Sequence, residues 1–170
     1  SQQGELFFGG INGFNAFHPA QVKDNPYIPP IVITQFELFN EAVPIGGDSP
    51  LQQHISETQE ITLSYQQTFF AFEFAALNFL LPQKNQYAYQ LEGFDKDWNH
   101  VGSRRRASYT NVPHGSYGFR VKASNNDNVW NETGTAIKIT LLPPPWKTWW
   151  AYTLYVITIL SLIISYIYSQ

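Results

Sequence analysis

The sequence predicts an all-β fold, a sandwich of seven short strands, followed by one α-helix that crosses a membrane. Three observations predict it. Apolar and polar residues alternate at period two in segment after segment before residue 142. Turns rich in Gly, Pro, Asn and Asp separate these segments. All the charges, 10 on Lys and Arg and 13 on Asp and Glu, fall at or before Lys147, so the last 23 residues carry none.

The chain of 170 residues is long enough for one ordinary domain and a short addition. Hydrophobic residues make up 44% and aromatic residues 16%, which excludes a disordered chain. A net charge of −3 gives no basic footprint for nucleic acid. With no cysteine, disulfides, thiolate metal sites and thiol nucleophiles are all excluded.

Residues 1–30 form a piece of their own. Residues 5–17 predict two short strands joined at Ile11-Asn12-Gly13, where Asn-Gly suits positive φ. An isolated hairpin is marginal in water, so this one must pack on something. Pro26, Pro29 and Pro30 then stiffen the boundary before the sandwich.

The strands of the sandwich follow between residues 31 and 142. Phe70, Phe72 and Phe74 alternate with Ala71, Glu73 and Ala75; Tyr87, Tyr89 and Leu91 alternate with Ala88, Gln90 and Glu92. Tyr117, Phe119, Val121 and Ala123 form a third such row, and Ile137, Ile139 and Leu141 a fourth. Weaker runs at 31–39, 60–65 and 107–110 bring the count to seven. Seven strands with these turns describe an immunoglobulin-like or fibronectin type III-like sandwich. The turn at 111–116 stands just ahead of Tyr117, the arrangement of a tyrosine corner, with the phenol bonded back to the upstream backbone. Trp98 and Trp130 are expected as large anchors in the core or on its rim.

Pro143, Pro144 and Pro145 make a stiff link over residues 143–148. The helix expected over 149–168 then reads WWAYTLYVITILSLIISYIY. At 1.5 Å per residue its length is about 30 Å, the thickness of a bilayer's hydrocarbon core. Trp146, Trp149, Trp150 and Tyr152 crowd its start and Tyr166 and Tyr168 its end, as interfacial aromatic belts do. The opening SQQGELFFGG has neither the basic start nor the apolar stretch of a signal peptide, so the chain reads as a piece of a longer protein.

The stretches YAYQLEGFDKDW at 87–98 and ASYTNVPHGSYGFRVKA at 107–123, then Asn125 and Trp130, closely resemble the three-tyrosine (Y_Y_Y) domain of bacterial two-component sensors. The motif positions are Tyr89, Trp98, Tyr109, Gly115, Tyr117 and Trp130. Asn128 stands where the family usually has Gly, a mild departure because Asn tolerates the left-handed conformation. Residues 4–17 resemble the tail of a sensor β-propeller, carrying Gly4, Leu6, Phe7, Phe8, Gly9, Gly13, Phe14 and Phe17 of its repeat.

The resemblance implies four parts: the remnant of a last propeller blade and a linker at 1–30, the sandwich at 31–142, a juxtamembrane link at 143–148 and the membrane helix at 149–168. It implies a single-pass protein of the bacterial inner membrane, with residues 1–148 in the periplasm. It further implies a likeness to hybrid histidine kinases. There, an upstream propeller senses a ligand such as glycan breakdown products, and a homodimer passes the change to a cytoplasmic kinase or other output module.

No constellation of side chains points to catalysis. His18, His54, His100 and His114 are scattered without metal-ligand spacing, and no Gly-rich loop introduces a helix, so no metal or cofactor is expected. Asp95 and Asp97 lack the remaining ligands of a calcium loop and read as turn residues that accept local N–H groups. Arg104, Arg105 and Arg106 form the single charge run. They would grip an acidic sugar or a carboxylate through bidentate bonds, or simply be a solvated loop between strands. The expected function is therefore signal relay by a segment that is not an enzyme. The alternative is a membrane-anchored, oligosaccharide-binding or adhesion sandwich.

Overall fold

The computed structural model describes residues 4–21 and 23–169; residues 1–3 and 22, within the expected propeller remnant, and residue 170 lie outside it. The hairpin joins β1 (Leu6–Gly10) to β2 (Gly13–Phe17) in a two-stranded sheet of its own. Among the described residues its rings pair only with one another: Phe7 with Phe14 at 5.8 Å and Phe8 with Phe17 at 5.7 Å. All four phenylalanines remain exposed.

Two sheets make the sandwich. The first sheet contains β3 (Ile31–Leu38), β4 (Glu41–Ala42), β6 (Phe69–Ala76) and β9 (Arg106–Thr110), in the order β4-β3-β6-β9. The second contains β5 (Glu60–Leu63), β7 (Gln86–Glu92), β8 (Asn99–Gly102), β10 (Gly115–Ser124) and β11 (Trp130–Leu141), in the order β5-β11-β10-β7-β8. The pairing of β11 with β5 is parallel, and the other pairings are antiparallel. The seven expected strands are all present. Two short ones, β4 and β8, join them at sheet edges.

Period-two alternation builds the core directly. Phe70, Phe72 and Phe74 point in from β6, and Phe119, Val121 and Ala123 from β10; all six are buried. Phe72 of one sheet stacks on Phe119 of the other at 4.4 Å, which joins the two layers at the centre. Aromatic pairs of this kind add about 0.5–1.5 kcal/mol beyond the area they bury. One bulge interrupts the β10–β11 pairing, where Lys122 alone faces three residues of β11 that end at Gly134. There φ is +62°, and a Cβ would lie 2.3 Å from the Val121 carbonyl oxygen, so no side chain fits.

After β11 comes α1 (Trp149–Ser169), 21 residues whose side chains are almost all exposed. It is the one helix among the described residues long and apolar enough to cross a membrane. Several of its hydroxyls bond back within the helix: Thr153 to the Trp149 carbonyl, Thr158 to that of Leu154 and Ser161 to that of Thr158. That satisfies them without water, as an apolar surrounding requires.

Candidate functional site

Three tyrosine hydroxyls fasten the core to its loops. Each ring lies in or against the aromatic core, and each oxygen reaches a different piece of backbone or turn. Tyr87 Oη accepts the Ala76 N–H at the end of β6 (3.1 Å). Tyr109 Oη–H donates to Asp95 Oδ2 (2.6 Å), the oxygen that also accepts the Leu91 N–H (2.7 Å). Tyr117 Oη–H donates to the Pro113 carbonyl (2.9 Å), closing the corner ahead of β10. Gly115 lies directly beside this ring, where a Cβ would stand 3.4 Å from the Tyr117 hydroxyl, an ordinary contact. Burial, and then the hydrogen bond to Asp95, push the Tyr109 hydroxyl far above the usual phenol range, so it stays a neutral donor. Tyr89 packs edge-on against Tyr109 at 6.0 Å and is raised too, chiefly by burial and secondly by the Asp95 charge.

The end of the sandwich where the chain enters is fastened by asparagines. Asn125, fully buried, donates through Nδ2 to the carbonyls of Asn25 (2.6 Å) and Tyr27 (2.8 Å). Its Oδ1 accepts the N–H groups of Asp127 (2.8 Å) and Val129 (3.0 Å). Asp127 in turn accepts the Asn25 N–H (2.7 Å), and Asn131 donates to the Pro29 carbonyl (2.9 Å). Asn128, at φ +63°, makes the left-handed turn that presents these groups.

The opposite end holds the link to the helix. The Leu142 N–H donates to the Leu63 carbonyl (2.9 Å), extending the parallel pairing one step past β11. Pro144 lines a cavity of 140 Å³ with Tyr65, Val112 and Leu141. The Trp146 ring stands edge-on to Tyr65 at 5.2 Å. A single tight turn follows, with the Lys147 N–H on the Pro144 carbonyl, and the Thr148 carbonyl receives the first helical N–H from Ala151 (3.1 Å). Leu142, Pro144, Trp146 and Lys147 are thus each bonded or packed between β11 and the helix.

The other sequence-marked residues belong to the flanks. Trp98 and Trp130 are half-buried on the outer face of the five-stranded sheet. Lys122 Nζ lies 4.7 Å from the Trp98 ring centre and 5.5 Å from that of Trp130, and its charge meets Glu132 at 2.8 Å. They are rim anchors held by cation–π contacts and are not part of the core. The charge run divides at Arg106. Arg106 opens β9, and its guanidinium donates to buried Glu37 (2.6 Å) and to Asn40 (2.8 Å), so its charge is paired across the face of the sheet while the side chain stays partly exposed. Arg104 and Arg105 are exposed, and the Arg105 carbonyl accepts the Phe74 N–H. Asp95 has the expected turn role and, in addition, receives the Tyr109 proton donor from 14 residues away. The asparagine clasp escapes sequence reasoning, because Asn in a turn is commonplace; the run Asn125-Asn126-Asp127-Asn128 was the available signal.

This geometry fastens the chain at both ends of the sandwich; among the described residues no three His, Asp or Glu side chains gather as a metal site. Residues 78–142 match the Y_Y_Y domain family. A protein named histidine kinase P4, from Formosa agariphila, is 43% identical over 169 residues, 97% of this chain and 12% of that protein. Among solved structures, one described as the extracellular domain of a hybrid two component system from B. thetaiotaomicron is 30% identical, with a TM-score of 0.64. The match covers 84% of this chain and 19% of that one. Another, of a one component system from the same organism, is 28% identical with a TM-score of 0.61, over 86% of this chain and 19% of that one. The chain therefore spans only a small part of the proteins it matches. Over residues 78–142 the chain matches the Y_Y_Y domain, and its sandwich is similar to the extracellular domains of these one and two component systems.

Proposed function

We propose that this segment is the membrane-proximal relay of a two-component sensor. In this reading residues 1–30 end a propeller that senses glycan breakdown products, residues 31–142 form the periplasmic relay, and residues 143–148 join it to a helix crossing the inner membrane at 149–168. The helix enters the cytoplasm at its C-terminal end and leads to a histidine kinase or other output module. Two copies work as a homodimer, and catalysis resides outside this segment.

The observation that carries the proposal is continuous fastening from Asn25 to Thr148. The entering chain is bonded to the turn after β10, the two sheets share one aromatic core, and the exit is bonded at Leu142 and Lys147 and packed at Trp146. A displacement at one end therefore reaches the helix, and two helices that shift against each other are a change a kinase can read. The alternative, a membrane-anchored carbohydrate-binding or adhesion sandwich, draws on the two tryptophans of one sheet face. Lys122 already occupies the space over both rings, and Arg120 also lies over Trp98, at 5.6 Å.

The test replaces Pro143, Pro144 and Pro145 by Gly, Ser and Gly in the full-length receptor. Ligand affinity should stay within about twofold while output is lost, because flexible linkers absorb displacement. Normal induction through the flexible link would overturn the relay. Tight oligosaccharide binding by the sandwich would favour the alternative.

A further inference from the structure

The loop between β6 and β7 carries the most exposed apolar side chains of the sandwich. Phe79 is 81% exposed and Leu80 68%. This loop is not loose. Asn78 and Asn85 are buried at its base, where Asn78 Nδ2 donates to Asn85 Oδ1 (2.8 Å) and Asn85 Nδ2 donates to the Asn78 carbonyl (3.2 Å). The Leu77 N–H is bonded to the Pro30 carbonyl (2.8 Å), and the Lys84 N–H to that of Leu81 (2.9 Å). Two large apolar side chains are thus held out in water on a fixed support. Rigid, outward apolar tips are what protein interfaces use as anchors, since little freedom remains to be lost on docking.

The tip also adjoins the entering chain. Asn78 Nδ2 donates to Asn126 Oδ1 (3.3 Å), which accepts from Asn25 Nδ2 (3.2 Å) as well. Tyr27 and Ile28, 47% and 56% exposed, follow at once along the chain. From Phe17 to Asn25 eight residues reach at most about 29 Å. Whatever packs on the β1–β2 hairpin is therefore tethered beside the tip, at the millimolar-scale effective concentrations of short linkers.

We infer that Phe79 and Leu80 form a docking knob for the folded body that precedes Asn25 in the full-length protein. They seat in an apolar recess of that body. The inference rests on the relay reading, and it names the contact through which motion of the sensing body enters the sandwich.

The test is photo-cross-linking in full-length protein in membranes. It uses Phe79→p-benzoylphenylalanine, with Gln66→p-benzoylphenylalanine, at the opposite end of the sandwich, as control. The expected result is an intramolecular adduct from position 79 to peptides N-terminal to Asn25, at monomer mobility, and no such adduct from position 66. Adducts to a second copy, adducts to another protein, or no adduct above the control would overturn it. If the captured peptides come from a body without propeller repeats, the docking knob stands and the propeller assignment falls.

Discussion

Replacing Tyr109 by Phe removes one oxygen from the sandwich and leaves the ring contacts in place. Those contacts are substantial: the buried ring meets Phe70 at 5.7 Å, Phe94 at 5.9 Å and Tyr89 at 6.0 Å. What is lost is the 2.6 Å hydrogen bond to Asp95. A hydrogen bond to a charged group contributes about 1.5–3 kcal/mol. Asp95 keeps the Leu91 N–H and is only half-buried, so water replaces part of the loss. The expected cost at pH 7 is therefore about 1.5–2 kcal/mol, or about 5–8 °C in Tm for a domain of this size. The pH dependence gives a second readout. The folded state keeps the Tyr109 proton well above the pH where a free phenol ionises. Its contribution is thus fully present below pH of about 10 and falls by about 1.4 kcal/mol per pH unit above it. Tyr109→Phe lacks that slope, so the gap between the two chains should narrow from pH 10 to 11, while Tyr89 weakens both. Urea unfolding of the full chain in micelles, followed by near-ultraviolet circular dichroism at pH 7 and 11, measures both quantities. A variant as stable as its parent at pH 7, or a gap that does not change with pH, would refute the role given to this hydroxyl.

Three further substitutions probe the other fastenings. Asn125→Ala deletes four hydrogen bonds of a fully buried side chain. It should cost about 3 kcal/mol and speed hydrogen exchange at Asp127 and Val129, whose N–H groups lose their acceptor. Gly134→Ala sets a Cβ against the Val121 carbonyl in a left-handed conformation, and a loss of about 2–4 kcal/mol in urea melts is expected. Trp130→Ala removes a half-exposed ring stacked near Lys122 and His100, so it should cost about 1–2 kcal/mol, not the 3–5 of a buried Trp. A melting shift as large as that of Phe72→Ala would return Trp130 to the core.

The strands with a full inward row were legible because period two is a local signal, and Phe70, Phe72 and Phe74 display it without help from the rest of the chain. β4 and β8 were not, since two and four mostly exposed residues carry no alternation. The tyrosine corner was legible for the same reason, with Tyr117 and Pro113 four residues apart. Bonds between distant segments leave no spacing behind. Arg106 meets Glu37 across 69 residues and Asn125 meets Asn25 across 100, so neither the ion pair nor the clasp could be read from the residues involved. For Trp130 size left core and rim both open, and parity decides: it pairs with Ser124, one step out of phase with the inward Ala123, and so faces outward.

The central claim is that sandwich and helix move as one body. A chain with no cysteine allows it to be measured directly, with spin labels at Ser108→Cys on the outer face of β9 and Ser161→Cys in the helix, in lipid nanodiscs. A reference pair at Ser108→Cys and Thr62→Cys spans the sandwich alone. Pulsed electron-spin distance measurements should give a distribution for the first pair as narrow as for the reference pair. It should broaden when Pro143, Pro144 and Pro145 become Gly, Ser and Gly. A broad distribution in the native sequence, unchanged by the flexible link, would contradict the relay.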